Sequence, residues 1–88
     1  MTTFAARLKL LMDEELLNPN QVARAAGLSN GTVYHYAHGT HAPTHAQAQL
    51  IGLAIEALGV RQACERLLLP SDDDRKAFEA ARQARERD

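Results

Sequence analysis

Apolar residues recur along this chain at helical spacing, and nowhere do they alternate as in a half-buried strand. Phe4, Ala5, Leu8, Leu11 and Met12 fall on one face of a first helix, which fades at Asp13-Glu14-Glu15. Asn18-Pro19-Asn20-Gln21 reads as a second helix start. Asn18 can cap it, Pro19 suits a first turn where an N–H would go unbonded, and Gln21 can reach back to the cap backbone. This helix is short, Pro19 to Ala26, and Gly27 ends it as a left-handed residue. Ser29 caps the next, Asn30 to His38, which stops at Gly39. After Pro43, Thr44-His45-Ala46-Gln47 is a capping box that opens a helix almost wholly apolar from Leu50 to Leu58.

That fourth helix carries two apolar stripes, Leu50-Leu53-Ala54-Ala57 and Ile51-Ile55-Leu58, so it must be central or covered by a partner. Gly59 breaks it, and Val60, Ala63, Cys64, Leu67 and Leu68 form a fifth amphipathic set, stopped by Pro70. Ser71 followed by Asp72, Asp73 and Asp74 is a cap with acid in the first turn, opening a last helix, Arg75 to Asp88. The fifth set is expected to close the base of the domain beside Leu50 and Leu53. Ile51, Ile55, Leu58 and Leu69 are then left exposed on a monomer, for a two-fold partner to cover. Phe78, with Ala77, Ala81 and Ala84, either lies across the other subunit or belongs to a solvated helix.

The chain of 88 residues is sized for one domain with a thin core. At 45% hydrophobic and 24% charged residues it is ordinary globular material. Cys64 is the single cysteine, which excludes an internal disulfide and a Cys-based zinc finger; it reads as a small buried apolar residue. No apolar run approaches the roughly 18 residues of a membrane span, and Met1-Thr2-Thr3-Phe4 lacks a secretion signal's pattern, so a cytoplasmic location is expected. The formal charge of −1 argues against binding polyanions by bulk charge. All four histidines, His35, His38, His41 and His45, fall close together.

Two short helices joined around a glycine outline a helix-turn-helix. Arg7 to Val22, with Leu8, Leu11, Leu17 and Val22 at apolar positions, resembles the opening of the lambda-repressor/Cro-type (XRE-like) DNA-binding family. The run from Val22 to Gly39 (VARAAGLSNGTVYHYAHG) resembles that family's central motif. Ala23 matches the small residue at the helix crossing, Gly27 the turn glycine, and Ser29 the recognition-helix cap. Val33 and Tyr36 match inward positions, Gly39 the terminating glycine, and Pro43 the proline of the next loop. The resemblance covers about residues 4–60. Pro19 departs from it, standing where the family has a DNA-touching glutamine, and histidines replace the usual basic residues. The stretch from Pro43 to Gly59 is about a turn longer than usual, and residues 61–88 match nothing assignable. The resemblance implies an all-α fold, a five-helix lambda-repressor-like DNA-binding domain over 1–70 (motif about 18–39). The additional C-terminal helix, 71–88, is a candidate dimerisation arm.

A recognition helix lies in the major groove and needs base-reading side chains in its first turns. With Val33 and Tyr36 turned inward, Asn30, Gly31, Thr32, Tyr34 and His35 are left outward. Asn30 can pair with adenine N6/N7 or be a solvated first-turn residue, and Tyr34 can meet thymine methyls or pack on a neighbouring helix. Gly31 lowers helix propensity by about 1 kcal/mol relative to Ala, so its use is close approach of backbone to DNA. Ser29, Gln21, His38 and His41 complete the DNA-binding set. Arg24 and Lys9 read as solvated. His38 and His41 lie where the family places phosphate contacts, and imidazoles supply charge only when protonated. DNA affinity is therefore expected to rise from pH 8 to 6. A metal could be drawn among the histidines, but no Cys, Asp or Glu lies among them, so no metal and no cofactor is expected.

The expected function is a homodimeric transcription regulator, a repressor of phage or plasmid type on a palindromic operator in double-stranded DNA. The alternative is a protein-interaction module, such as the antitoxin of a toxin–antitoxin pair, with residues 61–88 clasping a partner. Neither a nucleophile–base pair nor a phosphate-binding glycine loop is evident, so an enzyme and a membrane partner are not expected.

Overall fold

A computed structural model describes residues 3–68 and 72–87. Among these the chain is all helical: α1 (Phe4–Glu14), α2 (Pro19–Ala26), α3 (Asn30–His38), α4 (His45–Ala57), α5 (Ala63–Leu67) and α6 (Asp72–Arg87). No described helix is long and apolar enough to cross a membrane.

Helix starts follow the capping chemistry. Asn18 Oδ1 accepts from the Gln21 N–H at 2.9 Å while Gln21 Oε1 accepts from the Asn18 N–H at 3.0 Å. Thr44 and Gln47 form the same reciprocal box at the start of α4, and Ser29 Oγ accepts from the Thr32 N–H at 3.2 Å. Each satisfies donors that the first helical turn leaves unbonded. Gly27 ends α2 at φ 72°, a left-handed geometry that lets the chain turn within two residues into the next cap. The cap foreseen at Ser71, together with Leu69 and Pro70, lies outside the described residues.

α4 is the axis of the core. It packs on α2 and α5, and α1 packs on α3 and α5. Leu8, Leu11, Val22, Val33, Ile51 and Ile55 are all essentially inaccessible to solvent. This reverses the sequence expectation for three residues: Ile51 and Ile55 are fully buried, whereas Leu50 is 42% exposed; Leu58, at 41%, is exposed as expected. α5 docks on the side of α4 that Gly52 presents. A Cβ at Gly52 would stand 2.7 Å from Cys64 Sγ and 3.1 Å from Cys64 Cα, so only glycine permits this approach.

α6 begins at Asp72, with its three aspartates in the first turn as the cap-and-acid pattern implies. Phe78 is 1% exposed within the core of its own chain, so α6 is not a wholly solvated helix. α6 runs alongside α4 in the same direction: Asp74 Oδ1 meets His45 Nε2 at 3.1 Å near one end, and Arg82 meets Glu56 at 2.7 Å near the other.

Glu56 is buried, and three interactions hold it there. Arg82 Nε donates to Oε1 and Arg82 Nη2 to Oε2, both at 2.7 Å, and the Cys64 N–H donates to Oε2 at 3.1 Å. The last bond serves α5, whose N-cap residue Gln62 makes no side-chain cap bond. Arg82 Nη2 also reaches Glu65 Oε2 at 2.7 Å. Burial pushes the Glu56 carboxyl up, but the Arg82 guanidinium and the Cys64 N–H outweigh it and hold it below the usual value. Burial, with the Glu56 charge beside it, pushes the Cys64 thiol up to about 12, so it stays protonated and unreactive.

Candidate nucleic-acid interface

α2 and α3, joined by Gly27-Leu28-Ser29, pack on each other, and α3 also packs on α1. Three residues anchor α3 from within: Val33 is inaccessible, and Tyr36 and Ala37 are each 7% exposed. Tyr36 additionally donates its hydroxyl to Gln47 Oε1 at 2.8 Å, tying α3 to α4. These inward positions leave the opposite side of α3 facing solvent, as a 3.6-residue period requires.

On that side the nine residues singled out from the sequence divide into three groups. Asn30 and Gly31 are exposed in the first turn, with Ser29 just before them. Ser29 Oγ and Thr32 Oγ1 lie 2.7 Å apart, one hydroxyl donating to the other, and Thr32 is half-buried. Gly31 stands in open space, since a Cβ built there meets no atom within 4 Å. Gln21, on α2, is exposed with its Oε1 engaged in the capping box.

The third group is a run of rings. Tyr34 is 50% exposed and its ring lies 4.1 Å from that of His38, tilted by 37°. The Tyr34 ring also meets His35 edge-on at 5.9 Å, and His35 in turn lies 4.9 Å from His41. His38 and His41 are exposed, whereas His35 is half-buried, with an Nδ1 that is buried and has no hydrogen-bond partner. The His35 carbonyl accepts the Thr40 N–H at 3.0 Å, which folds the post-helix loop back and brings His41 beside it. His45 parts from this group, since it faces Asp74 on α6. Among the described residues no three His, Cys, Asp or Glu side chains come together as a metal-ligating cluster.

The face is almost without formal charge, because α3 contains no Asp, Glu, Lys or Arg. The nearest cation in sequence is Arg24, exposed on the last turn of α2. Arg24 reads as solvated in the sequence, and Asn20 carries no functional signal there. Both border a hollow of about 340 Å³ that Asn18, Gln21, Ala25 and Leu58 complete. No local signal could have shown it, because Leu58 comes from the far end of α4. The Tyr34–His38 pairing was legible, as ring side chains four apart on a helix meet. No family model, no curated protein and no solved structure matches this chain.

Proposed function

We propose that this chain is a sequence-specific DNA-binding transcriptional regulator with a lambda-repressor-like five-helix domain and one added C-terminal helix. In this reading α3 enters the major groove. The observation that carries it is the division of α3: Val33, Tyr36 and Ala37 are buried, while Asn30, Gly31 and Tyr34 stand exposed on the first two turns. Those are the positions from which a recognition helix reaches base edges. An amide at Asn30 matches the donor–acceptor pair of adenine, and the Tyr34 ring offers an apolar edge to a thymine methyl. Ser29, Thr32, Gln21, His38 and His41, with His35 behind them, surround this centre, and their hydroxyl, amide and imidazole groups suit phosphate oxygens.

The reading includes a homodimer acting as a repressor on a palindromic operator. A single neutral reading head binds weakly, and joining two raises affinity through effective concentration. Support comes from the exposed side of α4, where Leu50, Leu53 and Ala57 line a hollow of about 240 Å³ with Ala25 and Ala81. An apolar strip of that kind is costly to leave in water. The scarcity of Lys and Arg further implies a shallow dependence of binding on salt.

Selection from a random duplex DNA library tests this directly. Enrichment of a short sequence repeated with inverted symmetry, at a spacing of about one helical turn, is the expected result. A library that stays random after repeated rounds refutes it.

A further inference from the structure

Gly31 is unexplained by the fold. It sits inside the first turn of α3 at an ordinary helical φ, where glycine has no conformational advantage. No neighbour demands it either, since an added Cβ would touch nothing within 4 Å. Gly52 shows what a structural glycine looks like in this molecule: there an added Cβ runs into Cys64. Glycine at 31 therefore answers to something outside the chain.

The surroundings indicate what it is. Side chains on a helix lean back over the preceding turn, so Tyr34 leans toward the open surface that Gly31 leaves one turn earlier, while His35 lies against His41 at 4.9 Å. The Tyr34 and His35 rings meet edge-on, 5.9 Å apart and 81° between planes, and the Tyr34 ring is backed at 4.1 Å by His38. The gap thus has a backbone floor open to solvent, the Tyr34 ring on the next turn and no charged group on its own helix. Beside it stands the exposed amide of Asn30. Of the groups that base pairs display in the major groove, only the C5-methyl of thymine is apolar; the others are hydrogen-bond donors or acceptors that this gap cannot satisfy.

Resting on the DNA-binding reading above, we infer that Gly31 is a specificity-determining residue: the gap it leaves against Tyr34 receives the C5-methyl of one thymine in each half-site. Asn30, its neighbour, takes the adjoining adenine. His38 is a positioning residue that holds the Tyr34 ring at the edge of the gap.

The test uses the full chain and the duplex enriched by selection, with each thymine replaced in turn by deoxyuridine, which lacks only the methyl. One position per half-site should weaken binding about fourfold, the worth of one buried methyl. Gly31→Ala should bind the thymine duplex at least tenfold more weakly and lose the distinction between thymine and uracil at that position. Its melting temperature should stay level or rise, which separates lost recognition from lost folding. 5-Methylcytosine at the same position should recover part of the affinity that plain cytosine loses. A scan in which no thymine responds overturns the inference while leaving DNA binding standing. So does a Gly31→Ala protein that still discriminates uracil. Failure to bind any duplex overturns both readings together.

Discussion

On α3 the outward groups are polar yet have few partners inside the molecule, and no ion pair engages the helix among the described residues. At the seam of α4, α5 and α6 the reverse holds. Glu56 is buried, and its carboxylate takes two bonds from Arg82 and one from the Cys64 N–H. The same kinds of atoms thus serve opposite ends. At the seam they are matched internally, and they fix where α6 lies. On α3 only Thr32 is matched, to Ser29, among the described outward side chains, and His35 Nδ1 is buried without a partner. Unmatched polar groups on a rigid support are what an external partner needs, and a matched seam makes the support rigid.

Breaking the seam should produce the largest effect. Arg82→Ala leaves the Glu56 carboxylate buried with the Cys64 N–H still bonded to it, and the expected loss is about 3–5 kcal/mol in chemical denaturation. Replacing Glu56 and Arg82 together by Met should recover most of that loss, because the cost arises from the stranded charge. Acid tests the same pair. The folded Glu56 carboxyl lies below its ordinary value, so its contribution is complete above the unfolded carboxyl's pKa of about 4.3. It is lost as pH falls through the folded value, and thermal melts between pH 7 and 3 should show a fall that Arg82→Ala flattens.

Next in size is the close approach of α4 and α5. Gly52→Ala should cost about 1–3 kcal/mol by overpacking. Adding Cys64→Ala should restore only part of it, since Cys64 Cα would still stand 3.1 Å from the new methyl. On the other region, Asn30→Ala should leave denaturation unchanged and weaken binding to the selected duplex by about 1–3 kcal/mol. Equal weakening on random duplex would remove Asn30 from base reading. The smallest effect sharpens the contrast most: Gly31→Ala should raise stability by up to about 1 kcal/mol, the propensity difference in an unobstructed helix. A glycine whose loss helps the fold and one whose loss harms it would then lie on the two regions.

Legibility in the sequence follows the same division. The starts of α2, α3 and α4 were readable because a cap and its partner sit three residues apart, and Gly27 marks the turn by itself. The exposed face of α3 followed from placing Val33 and Tyr36 inward. The seam was not readable. Which stripe of α4 turns inward depends on where α5 docks, and that depends on Gly52 meeting Cys64, residues on different helices. Glu56 sits on an otherwise apolar helix end, and its partner Arg82 is one of several arginines in a charged segment. Phe78 had no local sign of its destination. Its burial is decided by the core cluster that the other helices build, residues distant from it in sequence.

Two contacts near the chain's beginning carry a consequence for its synthesis. Arg7 Nε donates to the Leu67 carbonyl at 2.7 Å, and Arg66 pairs with Glu14 at 2.6 Å and Glu15 at 3.2 Å. The first helix is therefore fastened to the end of α5, which follows α2, α3 and α4 in the chain. A nascent chain that has reached only the end of α4 holds the whole putting-together of α2 and α3 but not the clasp beneath α1, which packs on α3. A chain cut before α5 thus keeps every residue of the exposed face of α3 yet loses the clasp beneath the helix that supports it.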